Sequence, residues 1–314
     1  MSGTNPGPHA SPPRSVGAAE DRLVWIFGSS RSGSTWLLRM LASIDGVVPI
    51  DDPHLGHHLG VWRPISLAWA TAEHPPDLTT LDRVKHDKDS YFFSDRYRDA
   101  WAPALRRLIV DRFDAQVADA ARVDDPVVVV KEPGSHVADL LLDLFPGSRL
   151  VFLLRDGRDV VDSWLAAYRA GSWALDEGAF PVTDPGREAL VRWQSAVWAF
   201  RTGVVQRAYE RQPRERRVLI RYEDLVADPR RELSAICAGL PFDVPADALA
   251  AVADEHAFAA VPAEAKGARK EIRSASPGGW RDNLTPAEHD IMHEVMGARL
   301  AELGYLDAAP ASAG

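Results

Sequence analysis

Four short apolar runs punctuate a chain whose remaining pattern is mostly helical: residues 23–27, 127–130, 150–154 and 218–220. Each is continuous rather than alternating, the pattern of parallel strands covered on both faces. Between them, amphipathic spacing predicts helices over residues 35–42, 101–121, 136–144, 160–170, 188–211 and 229–238. Strands alternating with helices imply right-handed crossovers, and so an α/β fold with three layers and a doubly wound parallel sheet. Ligands of such sheets sit beyond the C-terminal strand ends. Each run is followed there by charged or loop residues: Arg31, Lys131-Glu132, Arg155-Asp156 and the tetrad Arg221-Tyr222-Glu223-Asp224. One composite site is expected.

The first strand and helix are joined by Gly28-Ser29-Ser30-Arg31-Ser32-Gly33. A strand, a glycine-bearing turn and a helix N-terminus make an anion cradle of inward N–H groups and a positive dipole end. The segment nearly spells the nucleotide-phosphate loop G-x-x-x-x-G-K-[ST], but Ser34 stands where that loop has its lysine, and Arg31 carries the charge instead.

Composition narrows the ligand. The chain has 314 residues, 46% of them hydrophobic, enough to bury a full core. Its 36 basic and 45 acidic side chains give a net charge of −9, which argues against nucleic acid or an anionic membrane as partner. A small anion in a local basic pocket fits better. The single cysteine, Cys237, excludes an internal disulfide and a cysteine-only zinc site, and reads as a small buried hydrophobe. With no 18-residue apolar run and an N-terminus rich in Pro, Gly and Ser, the protein is expected in the cytoplasm without a membrane anchor. Residues 1–20 and 307–314 read as flexible tails. Residues 21–306 read as one domain with a helical insertion over about 54–125 that covers the sheet's top and holds Trp62, Trp69, Tyr91 and Trp101.

Four further segments carry chemistry. Arg155 ends a strand and Ser163 follows two turns into the next helix, so both can face one sheet edge and hold a second phosphate; a surface turn tied by salt bridges is the alternative. Lys131, ahead of Pro133-Gly134, can reach the centre of the site or form a structural ion pair. Asp51-Asp52-Pro53-His54 with His57-His58 suits general acid–base work. His54 with His57 or His58 also has metal-pair spacing, yet no further His or Cys pair completes a ligand set, and no metal is expected. Arg269-Lys270 through Arg273 to Gly278-Gly279-Trp280-Arg281 is a basic, glycine-containing loop able to fold over an anion.

Together these segments resemble the sulfotransferases that use 3′-phosphoadenosine 5′-phosphosulfate (PAPS), from about Leu23 to Tyr305. The family's 5′-phosphosulfate loop, P-[KR]-S-G-T-T-x, is matched by Ser30-Arg31-Ser32-Gly33-Ser34-Thr35-Trp36, with serine for proline. Its arginine and serine for the 3′-phosphate are eight residues apart, as are Arg155 and Ser163. The tract Val218-Leu-Ile-Arg-Tyr222-Glu-Asp-Leu225 nominates Tyr222 beside adenine, and Trp36 falls where cytosolic members place an adenine-facing tryptophan. The last loop, R-K-G-x-x-G-x-W, is met in part by Arg273 and Gly278-Gly279-Trp280, while Ser274 and Ala275 replace its Lys-Gly. The cytosolic members' Lys-x-His is replaced by Lys131-Glu132-Pro133. An acidic residue 21 positions after Arg31, Asp52, looks instead like the carboxylate base of tyrosylprotein or carbohydrate sulfotransferases.

The resemblance implies sulfuryl transfer to a hydroxyl or amine of a small-molecule, carbohydrate or lipid acceptor, releasing 3′,5′-adenosine bisphosphate. Arg31, Asp52, His54 and Lys131 are the candidate catalytic residues. Donor binding falls to Arg31, Ser32, Gly33, Ser34, Thr35, Trp36, Arg155, Ser163, Tyr222 and Arg273. A sulfuryl group carries less negative charge than a γ-phosphoryl group, so the magnesium and lysine of kinases are less needed. An ATP-dependent small-molecule kinase and a non-catalytic nucleotide-binding protein are the competing readings; the kinase lacks its lysine before Thr35.

Overall fold

A computed structural model of the protein describes residues 15–59, 77–120, 123–176, 179, 181–239, 244–257, 267 and 277–306. Trp62, Trp69, Arg269, Lys270 and Arg273 lie outside the described residues. Five strands form one parallel sheet: β1 (Leu23–Phe27), β2 (Val47–Asp51), β3 (Val127–Lys131), β4 (Arg149–Leu154) and β5 (Arg217–Arg221), in spatial order β2-β3-β1-β4-β5. From central β1 the chain crosses to the edge at β2, returns inward to β3, and then passes to β4 and β5 on the other side. The connections after β1 and β4 thus leave in opposite directions, and the loop after β1 lies at the switch point where doubly wound sheets bind ligands.

The four expected strands are present, and a fifth, β2, is added at the edge. Its sequence, Val-Val-Pro-Ile-Asp, is short and holds Pro49, which cannot donate to a central ladder and is tolerated on an edge strand. Its register pairs Asp51 with Lys131.

Alternate strand residues point to opposite faces, and both faces of β1, β3 and β4 are buried, whereas on edge strand β5 Ile220 is buried and Leu219 is exposed, so that run is not covered on both faces. Leu23, Trp25, Phe27, Val48, Ile50, Val128, Val130, Leu150, Phe152 and Leu154 enter one core; Val24, Ile26, Val127, Val129, Val151, Leu153 and Ile220 enter the other. That two-sided burial explains the continuous apolar runs. Helices α1 (Ser34–Ala42), α2 (Leu55–Leu59), α3 (Leu78–Asp87), α4 (Arg98–Ala120), α5 (Ala138–Leu144), α6 (Gly157–Ala167) and α7 (Trp173–Asp176) run through the first half. The second half contains α8 (Asp184–Arg211), α9 (Tyr222–Ala227), α10 (Pro229–Ala238), α11 (Ala246–Glu255), α12 (Trp280–Asn283) and α13 (Pro286–Glu302).

Leu37, Leu38, Met40 and Leu41 of α1, with α10 and α11, close the second core, and Cys237 is buried there. The first core is closed by α4, α5, α6, α8 and α13. Within the expected insertion, α4 lies against the sheet's face rather than over its top: Trp101, Leu105, Ile109 and Phe113 share the core of Trp25 and Ile50. The end of the expected N-terminal tail is also held. Val16 is buried, and its N–H donates to Asp114 Oδ1 on α4 at 2.7 Å. Among the described residues no helix is long and apolar enough to cross a membrane.

Candidate active site

The loop after β1 bends through left-handed backbone at Arg31 and Gly33, with φ of 70° and 90°. Gly33 is required twice over: its φ disfavours a side chain, and a Cβ there would sit 2.6 Å from ring carbons of Tyr222. From this bend the Arg31 side chain is held on two sides. Its Nε donates to Ser163 Oγ at 3.1 Å, and its guanidinium lies 5.1 Å from the centre of the Trp173 ring. Arg155 Nη1 in turn donates to the Arg31 carbonyl at 2.7 Å, and the Arg155 guanidinium rests 4.2 Å from the Tyr222 ring centre. The segments expected to grip two phosphates, 31–35 and 155–163, thus touch directly.

Polar atoms in this cradle await a partner. Among the described residues, Ser29 Oγ, Ser32 Oγ and Arg155 Nε are buried without a hydrogen bond. Buried donors are rarely left so, and here they line a turn of left-handed backbone at a helix N-terminus. The donor set is cationic and hydroxylic. It fits an anionic, phosphate-bearing ligand.

Trp36, on the first turn of α1, meets the Tyr222 ring edge-on at 6.3 Å and donates its Nε1–H to the His256 carbonyl at 2.9 Å. The two aromatics expected beside adenine therefore stand together next to Arg155. Arg221, which precedes Tyr222, instead serves the fold: its Nη2 donates to the Leu303 carbonyl at 2.6 Å. On α6, one turn before Ser163, buried Asp159 accepts the N–H of Gly278 at 2.7 Å and of Trp280 at 3.3 Å. The Gly278-Gly279-Trp280 part of the last motif is thereby brought to the Ser163 helix.

The second half of the site lies across β3. Lys131 is only 4% exposed. Its Nζ reaches Asp51 Oδ1 at 2.8 Å, Asp52 Oδ2 at 2.7 Å and Thr35 Oγ1 at 2.9 Å. The ion-pair alternative for Lys131 is thus realised inside the site, where the lysine joins β2 to α1. Asp52 Oδ1, by contrast, is buried and has no partner among the described residues. Asp52 and His54 adopt left-handed backbone, with φ of 47° and 55°. Among the described residues, the non-glycine positions with positive φ are Arg31, Asp52 and His54. Such conformations cost about 1–3 kcal/mol each and gather at functional sites.

His54 is exposed and its Nδ1 lies 3.2 Å from His57 Nδ1. Burial, Arg201 and the neighbouring imidazoles hold His57 below the ordinary histidine range. No group of three metal-ligating side chains occurs among the described residues. His136, just beyond the Lys131–Gly134 segment, is a buried structural group: its Nε2–H donates to the Gly56 carbonyl at 2.9 Å, and burial pushes its pKa down to about 3.

Sequence reasoning missed three contributors. Trp173 flanks Arg31, Asp159 docks the 278–280 turn, and Glu132 binds the Asp52 turn to β3. Glu132 sat in plain view between Lys131 and Pro133, but its partners at 55 and 56 are about eighty residues away in the chain.

The wider comparisons agree with this geometry. A model of the sulfotransferase family matches residues 24–245. Comparison with curated proteins finds no match to the chain. Among solved structures, a mouse sulfotransferase, SULT7A1, complexed with PAP is similar with a TM-score of 0.55 at 12% identity, over 90% of this chain and 86% of that one. Sulfotransferase STF9 from Mycobacterium avium is similar with a TM-score of 0.51 at 16% identity, over 92% of this chain and 78% of that one. At such identities the solved structures show a shared fold; the family match, which spans both halves of the site, shows more. The chain belongs to the sulfotransferase family.

Proposed function

We propose that the protein transfers a sulfuryl group from PAPS to a hydroxyl or amine of a small-molecule, carbohydrate or lipid acceptor by in-line displacement. The acceptor oxygen, or nitrogen of an amine, bonds to sulfur as the bond from sulfur to the 5′-phosphate oxygen breaks. The acceptor's proton passes to Asp52, and 3′,5′-adenosine bisphosphate leaves. The observation that carries this reading is the position of Lys131 Nζ, which bridges Thr35 of the phosphate loop and Asp52 of the acidic turn. One cation thereby sets the proton acceptor beside the anion cradle.

Each residue then has a task that its chemistry suits. Arg31 faces the charge that grows on the departing phosphate, with the N–H groups of residues 32–35 holding that phosphate in line. Arg155 and Ser163 take the 3′-phosphate, and Trp36 with Tyr222 flank adenine. Lys131 compensates the two carboxylates and steadies the transferring oxygens. Asp52 Oδ1 offers a lone pair with no competing donor. His54, on the same left-handed turn, is the substitute base.

Thermal shift with 3′,5′-adenosine bisphosphate against ATP plus magnesium tests the donor. A clear preference for the bisphosphate is expected; an equal or reversed response overturns the reading. Transfer of labelled sulfate from PAPS then separates an enzyme from a binding protein.

A further inference from the structure

The turn that presents Asp52 has little regular structure of its own. It leaves the edge strand β2, passes through two left-handed residues and enters α2, a helix of only five residues. What fixes it is the side chain of Glu132, from the end of β3. Glu132 Oε2 accepts the N–H of Leu55 at 2.8 Å, while Oε1 accepts those of Gly56 at 3.2 Å and Gly134 at 2.6 Å. The fit depends on two glycines that meet backbone to backbone. A Cβ on Gly56 would lie 2.2 Å from the Gly134 carbonyl oxygen, and one on Gly134 would lie 2.7 Å from Glu132 Oε1.

A carboxylate this deeply buried is costly unless donors and a counter-charge compensate it. Burial pushes the Glu132 carboxyl up, and the three N–H groups oppose that push. The counter-charge comes from buried Arg201 on α8, whose interaction with Glu132 favours the charged guanidinium. Arg201 Nη1 also donates to Ser30 Oγ at 2.8 Å, so the same group reaches the loop that carries Arg31.

We propose that Glu132 is a positioning residue for sulfuryl transfer: it clamps residues 52–56 to the end of β3 and so holds Asp52 on Lys131, which also meets Thr35 of the phosphate loop. The inference rests on the reading of Asp52 as the base. It adds that the residue after the strand-end lysine acts on the acceptor half of the reaction and leaves donor binding alone. Glu132 donates nothing to the anion cradle, and all three of its hydrogen bonds fall on the backbone of the acidic turn and its mate at Gly134.

The test uses the full chain and two variants that damage the joint differently. Glu132→Gln keeps the size but leaves only one accepting oxygen for three N–H groups. Gly134→Ala keeps the carboxylate and forces the glycines apart. Turnover is read as bisphosphate release from PAPS with 4-nitrophenol, 1-octanol, benzylamine or water, whichever the wild type uses fastest. Both variants are expected to lose about ten- to a hundredfold in turnover, the scale of one or two hydrogen bonds to a charged group, with bisphosphate affinity within about threefold of wild type. Hydrogen exchange at Leu55 and Gly56 should quicken about tenfold or more in Glu132→Gln, while β1 and β4 stay protected. Wild-type turnover in either variant, unchanged exchange at 55 and 56, or an equal loss of bisphosphate affinity overturns the proposal. Asp52→Asn run in parallel keeps the two readings apart. If it turns over like the wild type, the base assignment fails; if it is inactive while Glu132→Gln is active, only the clamp fails.

Discussion

The two halves of the site are built by different means. The donor half is local: the loop after β1, the start of α1 and the tip of β4 with α6 are neighbours, and Arg31 contacts both Ser163 and Arg155 directly. The acidic half is assembled at a distance. Asp51 and Asp52 sit at the end of an edge strand, held by Lys131 and Glu132 from β3 and backed by His136. A phosphate group needs N–H donors and positive charge, which a βα turn supplies from its own backbone. A proton acceptor needs a placed carboxylate, which no short motif supplies. The difference predicts that damage to the donor half appears as lost binding or lost charge stabilisation, whereas damage to the acidic half appears as lost turnover with the nucleotide still bound.

The two largest effects set the ends of this contrast. On the proposed reading, Arg31→Ala removes the cation that stabilises the departing phosphate and should cost on the order of 10²–10³ in turnover, by the precedent of oxyanion-hole donors. Retention of more than about a tenth of wild-type transfer would take Arg31 out of the mechanism. Asp52→Asn keeps the shape and removes the base, with an expected loss of about 10²–10⁴ in turnover. Calorimetry should find bisphosphate affinity within about twofold of wild type in Asp52→Asn, since the hydrogen bonds of Asp52 among the described residues go to Lys131 and none goes to the loop after β1. A matching loss of affinity would mean that the halves are not separable.

The same contrast explains what could be read from the chain. The donor half was legible because its signals are contiguous: an apolar run, Gly28, Arg31-Ser32-Gly33 and the eight-residue step from Arg155 to Ser163. The sheet was legible for the same reason, since burial on both faces leaves unbroken runs. β2 was not, because Pro49 interrupts its run and its two inward residues, Val48 and Ile50, are too few to show a period. With β2 missing, Asp52 could be nominated by its distance from Arg31 but not placed beside Lys131. Glu132 looked like an ordinary neighbour of a functional lysine, because its significance lies in which N–H groups it meets. α13 also escaped notice, although Thr285 and Glu288 form a capping box at its start.

Smaller effects refine the donor half. Ser163→Ala removes one hydroxyl that accepts from Arg31 Nε and that the proposed reading assigns to the 3′-phosphate. It should weaken bisphosphate binding by about ten- to a hundredfold, the value of a hydrogen bond to a charged group, measured by calorimetry. Some loss of turnover at saturating PAPS should accompany it, because Arg31 is no longer anchored. Gly33→Ala places a methyl against Tyr222 and forces a left-handed alanine, which costs roughly 1–2 kcal/mol before any clash. Its bisphosphate affinity should fall by about tenfold or more, with turnover per bound complex changed less.

The last effect falls on the acidic half and is read through pH. His136 must be neutral to fit: burial lowers its pKa from 6.5 to about 3 while its Nε2–H holds the Gly56 carbonyl. A base whose folded pKa is depressed contributes stability that is present above its unfolded value, here 6.5, and is lost as pH falls through about 3. Glu132, at the same joint, has the opposite sign: its carboxyl is raised by burial, so its contribution diminishes as pH rises and partly offsets His136 on acidification. The net acid slope is therefore smaller than His136 alone would give. Replacing it by glutamine keeps a donor for Gly56 and removes the titration. Glu132 titrates in both proteins and drops out of their comparison. Between pH 7 and 4 the wild-type melting temperature should therefore fall by about 5 °C or more beyond that of His136→Gln, on the order of 3 kcal/mol for an imidazole that stays neutral in the fold while the unfolded one protonates below 6.5. Parallel melting curves for the two proteins across that range would show that the imidazole does not couple the acidic turn to pH.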